Sequence, residues 1–284
     1  VQPETTPPVE PLNLNLNNAQ DNLYAFTKMR GSLDPEQEVV FYWTGSIFLA
    51  EKAAPTGPAV SEFPGAILRF EGFNIARFVP TNDGVRMISR EIAVYQNQYG
   101  QIIDCWNNAP VSTGAPQNVP VVHVHNDPVN HTVYGGTPHE MGDQVVWTLE
   151  VMLRYPNPLP VNQYPLFSAS NTYETAELFN FYSMKKDLND PTQDSVPVHI
   201  SWSRVGQPVP WMKAGITDTK LIYHTYGRKL LGGFDELPMN LQEYVINNAP
   251  EYMTAPQWDE SPNVTSWKYV KKLIDTGKYP ESCQ

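Results

Sequence analysis

Apolar and polar positions alternate with two different periods along this chain. In Ala19 to Met29 (AQDNLYAFTKM), Leu23, Phe26 and Met29 fall near helical spacing, and Gly31 can end the helix. From Val39 the pattern becomes that of β-strands. Val39–Leu49, Leu68–Phe78, Val85–Tyr95, Val121–His125, Gln144–Tyr155, Val196–Arg204 and Lys220–Tyr226 are rich in β-branched and aromatic residues. Thr175–Met184 fits either element and is read here as a strand. Gly, Pro and Asn clusters separate the runs, as at Ala54–Pro58, Thr81–Gly84 and Ala109–Pro120. The last fifty residues turn helical again. Met239–Asn248 is one segment; Val264–Thr276 is another, with Ser261 and Pro262 as its start signal and Gly277 as its stop.

About nine strands joined by turns, with no internal repeat, predict a mainly β chain. The expected architecture is a single large antiparallel β-barrel or strongly curved sheet, calycin- or lipocalin-like, with N- and C-terminal helices covering an opening or an outer face. A barrel of this size can hold one small ligand. Residues 1–18, rich in Pro and Asn, read as a flexible arm, and residues 19–284 as one domain.

Composition narrows the function classes. The chain has 284 residues, 41% of them hydrophobic, which is enough for a sizeable core and too apolar for disorder. Its 27 prolines argue against a helical bundle. With 19 basic and 30 acidic residues the net charge is −11, which repels nucleic acid. No apolar run is long enough for a membrane span. The start at Val1 reads as a mature terminus after signal cleavage, so a secreted or periplasmic protein is expected. The two cysteines, Cys105 and Cys283, could pair there, or could remain a buried thiol and a tail residue.

The sharpest local feature is the run Val121-Val-His-Val-His-Asn-Asp-Pro-Val-Asn-His131. His123 and His125 would project from one face of a strand, and His131 could join them around one transition metal ion. The competing reading is a single pocket or core histidine followed by a solvated turn. Asp127 could orient a histidine, although Asx residues around a proline also serve simply to shape the turn. Glu71, Glu91 and Glu177 lie in predicted strands. If turned inward, each would have a raised pKa and could act as an acid or base. The many rings, 15 Tyr and 7 Trp, could line a pocket for a flat apolar ligand or simply fill the core. Phosphate-loop, dinucleotide, nucleophile-elbow and His-Glu-x-x-His patterns do not occur.

Several strings together resemble one family. They are Phe70-Glu-Gly-Phe-Asn-Ile-Ala-Arg-Phe78, Ser89-Arg-Glu91, Val121 to Asn130, Ile200-Ser-Trp-Ser-Arg204, Pro210-Trp-Met-Lys213, His224 to Leu230 and Gly233 to Pro238. In that order they are similar to the family catalogued as domain of unknown function 1838, from about Asp21 to Leu273. The resemblance implies an exported protein but no agreed activity. It carries over His123, Asn126, Asp127, Pro128, Asn130, Ser89, Arg90, Trp202, Arg204, Trp211 and His224. The family pattern has a small residue at the position of His125, which implies His123 acting alone rather than a histidine pair.

These observations lead to an expected function. It is an exported enzyme without an organic cofactor, acting by acid/base chemistry on a small apolar or aromatic molecule inside the barrel. The reaction would be a hydrolysis, elimination or isomerisation, including ether or ester cleavage. His123 or His224 would be the base, Glu71, Glu91 or Glu177 the acid, and Asp127 an orienting group. Arg90 or Arg204 would hold an oxyanion, with Asn126, Asn130, Trp202 and Trp211 around the substrate. Two alternatives stand beside it: a non-catalytic lipocalin-like binder, and a metal enzyme using His123, His125 and His131.

Overall fold

The computed structural model describes residues 9–50, 65–82, 84–257 and 262–283; the expected turn at Ala54–Pro58 lies outside them. Twelve strands and four α-helices follow in chain order. Helix α1 (Ala19–Arg30) precedes β1 (Val39–Ala50), β2 (Leu68–Thr81) and β3 (Gly84–Gln96). Short strands come next: β4 (Cys105–Asn107), β5 (Asn118–Pro120), β6 (Val124–Asn126), β7 (His131–Val133) and β8 (Thr137–Met141). Long strands then return as β9 (Gln144–Pro156) and β10 (Thr172–Met184), followed by α2 (Lys185–Leu188), β11 (His199–Gly206) and β12 (Lys220–Leu230). Helices α3 (Met239–Asn248) and α4 (Ser266–Asp275) close the chain.

Ten strands form one antiparallel sheet in the order β6-β3-β2-β1-β12-β11-β10-β9-β8, with β7 also on β3; β4 and β5 pair separately. The chain is therefore mainly β, as expected, but no pairing joins β6 or β7 to β8 or β9, and the sheet does not close into a barrel. The run that would close it is split. Asp127 and Pro128 interrupt it between β6 and β7, and a proline has no N–H to give a ladder. The edges nevertheless come close at both ends. Only Tyr134, Gly135 and Gly136 connect β7 to β8, a span of about 14 Å at most. Asn22 of α1 clamps that connection, exchanging two 3.0 Å hydrogen bonds with Gly136. At the other end, the Asn263 side chain accepts from the Asn130 backbone N–H at 2.8 Å and donates to the Asn130 carbonyl at 2.9 Å, and α4 sets Trp267 against Tyr173 of β10.

Alternation along the strands sorts side chains onto two faces. The convex face over β1–β3 carries Val40, Phe73, Ile75, Ile92 and Val94, and Leu241 and Val245 of α3 cover it. The concave face holds two apolar clusters. One gathers Trp43, Phe70, Tyr95, Trp211, Tyr223 and Trp267 near α4; the other gathers Phe26, Met29, Phe41, Trp147 and Phe181 near α1. Trp43 fits there because its neighbours in register are Gly72 and Gly227. A Cβ on Gly227 would stand 1.9 Å from the Tyr42 carbonyl oxygen.

Cys105 and Cys283 form a disulfide that ties the tail after α4 to β4. Part of the expected arm is docked: Leu12 and Leu14 bond Asn189, and Leu16 is buried. Among the described residues no helix is long and apolar enough to cross a membrane.

Candidate functional site

Between the two concave clusters lies a belt of charged and polar side chains. Glu91 on β3 and Glu177 on β10 come from opposite walls, with four strands between theirs in the sheet. Glu91 pairs in register with Asn74 and Asn126, and Glu177 with Arg204 and Val151. Period-two alternation turns all of these inward. Curvature then brings the two carboxylates within range of each other's charge. Both line the hollow of the curled sheet, its concave side, and keep some accessible surface there. The lining reaches the outside along the unpaired edge of β9, where Leu149 and Val151 are half-buried.

Burial and the neighbouring Glu177 charge push the Glu91 carboxyl up to about 7. The Asn126 amide, which donates to Glu91 Oε1 at 3.1 Å, and the charges of Arg30 and Arg204 only partly oppose this. Burial also raises Glu177, against the pull of Arg204 and Trp202. The Arg204 Nε lies 3.8 Å from Glu177 Oε1, and the Trp202 indole N–H is aimed at that carboxylate without completing a hydrogen bond of normal geometry. Arg204 also donates to the Tyr173 hydroxyl at 3.3 Å and stacks over the Tyr223 and Trp267 rings. One carboxylate thus has a permanent cation beside it, while the other is poised to hold a proton at neutral pH. That pairing suits proton transfer in both directions. Around it stand Trp202 and its ring neighbours Trp43, Phe70, Phe179 and Tyr223, at centroid distances of 5.9 to 6.3 Å.

The structure brings Glu91, Glu177, Asn126, Trp202 and Arg204 together and places the other expected site residues elsewhere. Glu71 faces the convex side, where it accepts hydrogen bonds from Tyr42, Gln96 and Asn240. His224 is exposed on that same outer face, beside Ser203. Arg90 pairs with Asp127 at 2.9 Å and donates to the carbonyls of Glu251 and Thr254, so both fasten the turn below α3. Asn130 accepts from the Ser89 N–H at 2.8 Å and serves the β6–β7 connection. Trp211 is core, edge-on to Tyr95 and Trp106.

The histidines do not form the expected cluster. His123 precedes β6, and its Nδ1 accepts the Tyr95 backbone N–H at 3.2 Å. Burial and the neighbouring His125 push it down to about 3, so it is a neutral ring with its lone pair already occupied. His123 and His125 do share a side, both touching Tyr244 of α3, but that side faces away from the hollow. His131 lies by Arg30 and Arg86, and burial with those charges pushes it down to about 4. Among the described residues no three His, Cys, Asp or Glu side chains converge as a metal-ligand set, and the trio His123, His125 and His131 is not one. The sequence reading missed Arg30, which on α1 is indistinguishable from an ordinary basic residue in a last helical turn.

A large antiparallel sheet with a belt of charged side chains between aromatic walls on its concave side defines a mainly β protein. The chain belongs to the family described as Protein of unknown function (DUF1838), which matches residues 36–274. No curated protein matches it.

Proposed function

We propose that the hollow is the active site of an exported enzyme that works by acid/base chemistry, with the chain's own carboxylates, on a small flat molecule. The facing of Glu91 and Glu177 across the hollow, with Arg204 paired to Glu177 at 3.8 Å, carries this reading. In ether or ester cleavage, ionised Glu177 takes a proton from the attacking water. Glu91 gives its proton to the departing oxygen, and Arg204 stabilises the charge that develops between them. Elimination uses the same pair, with Glu177 taking the proton from carbon. The aromatic walls favour a planar apolar body. The disulfide supports an oxidising compartment, as in exported proteins.

The test is a turnover screen of chromogenic aryl esters and ethers, with Glu91→Gln as the control. Wild-type turnover should fall as pH rises above about 7, where Glu91 loses its proton. Glu91→Gln should lower kcat by about 10²- to 10⁴-fold. Saturable binding of the same compounds without turnover would replace this reading with that of a lipocalin-like binder.

A further inference from the structure

The acid/base pair does not use Arg30. Its side chain is half-buried at the α1 side of the hollow, with the guanidinium 4.7 Å from the Phe41 ring centroid and 5.5 Å from that of Phe181. Among the described residues it makes no hydrogen bond and no ion pair, and its Nη1 is buried without a partner. A half-buried guanidinium whose inner nitrogen lacks an acceptor leaves a donor unsatisfied, which an acceptor on a ligand would satisfy. Burial lowers it only to about 10, so it stays charged at neutral pH, and the carboxylate that steadies it is Glu91.

Rings lead from Arg30 to the acid/base pair. Phe181 stacks on Phe179 at 6.0 Å, Phe179 stacks on Trp202 at 6.2 Å, and Trp202 points its N–H at Glu177. We infer that Arg30 anchors an ionised carboxylate on the substrate, whose flat ring lies along the Phe181, Phe179 and Trp202 ladder with its reactive bond at Glu91 and Glu177. The substrate class is then an aromatic or ring-conjugated carboxylic acid. A planar guanidinium fits a carboxylate in bidentate fashion, and rings tolerate stacking along such a ladder. This inference names the substrate class of the site proposed above and rests on that reading.

Direct binding tests it, read by tryptophan fluorescence with benzoate, cinnamate and methyl cinnamate as probes. The wild-type protein should bind cinnamate at least tenfold more tightly than its methyl ester. Arg30→Met should remove that preference, and Arg30→Lys should restore part of it. The acid preference of the wild type should also shrink as pH rises through about 7, when Glu91 ionises beside Arg30. The other charged groups around that pair are Glu177, Arg204, Lys229 and Arg86; His131 stays neutral there. Equal binding of acid and ester, no saturation by either acid, or a preference that survives in Arg30→Met would overturn the inference. The wild-type comparison decides the matter even if Arg30→Met does not fold. Failure here would leave the acid/base reading intact, because that is judged by turnover of neutral esters and by Glu91→Gln.

Discussion

Glu71 and Glu91 sit on neighbouring strands, β2 and β3, and face opposite ways. Glu71 looks out from the convex side into a cage under α3. Tyr42 and Gln96 each donate to it at 2.6 Å and Asn240 at 3.1 Å. Glu91 looks into the hollow, where among the described residues one amide at 3.1 Å is its only side-chain donor and a second carboxylate is its neighbour. The first environment gives both carboxylate oxygens a donor; the second leaves one carboxylate short of them. Saturated hydrogen bonding is what a structural carboxylate needs, and deficient hydrogen bonding with like charge nearby is what a proton carrier needs. The contrast singles out Glu91, of two withdrawn acids, as the one on which the proposed chemistry rests.

The largest expected break in this contrast comes from Glu71→Ala. It strands Tyr42, Gln96 and Asn240, and should cost about 3–5 kcal/mol in chemical denaturation. Glu91→Gln, by contrast, should cost nothing at pH 8 and should raise stability there by up to about 3 kcal/mol, because it removes a charge that burial disfavours. Equal losses in the two variants would erase the distinction.

The next effect is in pH. Glu91 holds its proton more tightly folded, at about 7, than unfolded, at its ordinary 4.5. Its contribution to stability is therefore complete below about 4.5 and is lost as pH rises through about 7. The shift corresponds to about 3 kcal/mol. Glu91→Gln should flatten that part of the stability–pH curve, and an unchanged slope would contradict the assignment.

A smaller effect should follow from Tyr42→Phe, which removes one of the three donors to Glu71. A loss of about 1–2 kcal/mol in thermal unfolding, with turnover retained, is expected. The smallest belongs to His224→Ala. This exposed outer residue should shift stability by no more than about 0.5 kcal/mol and leave kcat unchanged. A collapse of turnover there would move the site to the wrong face of the sheet.

Much of the fold was legible in the sequence. β1, β2, β3, β9 and β10 begin within three residues of the expected positions, α3 matches end to end, and α1 ends at Gly31 as read. Long runs of one period leave little choice of element. The short strands β4, β5, β7 and β8 escaped, because three to five residues show no period. The site was legible as a set of candidates and no further. Glu71, Glu91 and Glu177 looked alike in the sequence, and the histidine run looked sharper than any of them.

By itself the sequence determined the period of each segment, the dominance of β structure, the membership of the family and the alternation that puts Arg204 and Trp202 on one face. Only the tertiary structure decided which face is the hollow and which acids meet across it, since that depends on which side of each strand α1, α3 and α4 cover. It also decided that the sheet stays open, with Asp127 and Pro128 parting β6 from β7, that Cys105 and Cys283 pair, and that His123 accepts a backbone N–H. Contacts between residues a hundred positions apart follow from register and curvature, and no local pattern in a chain encodes those.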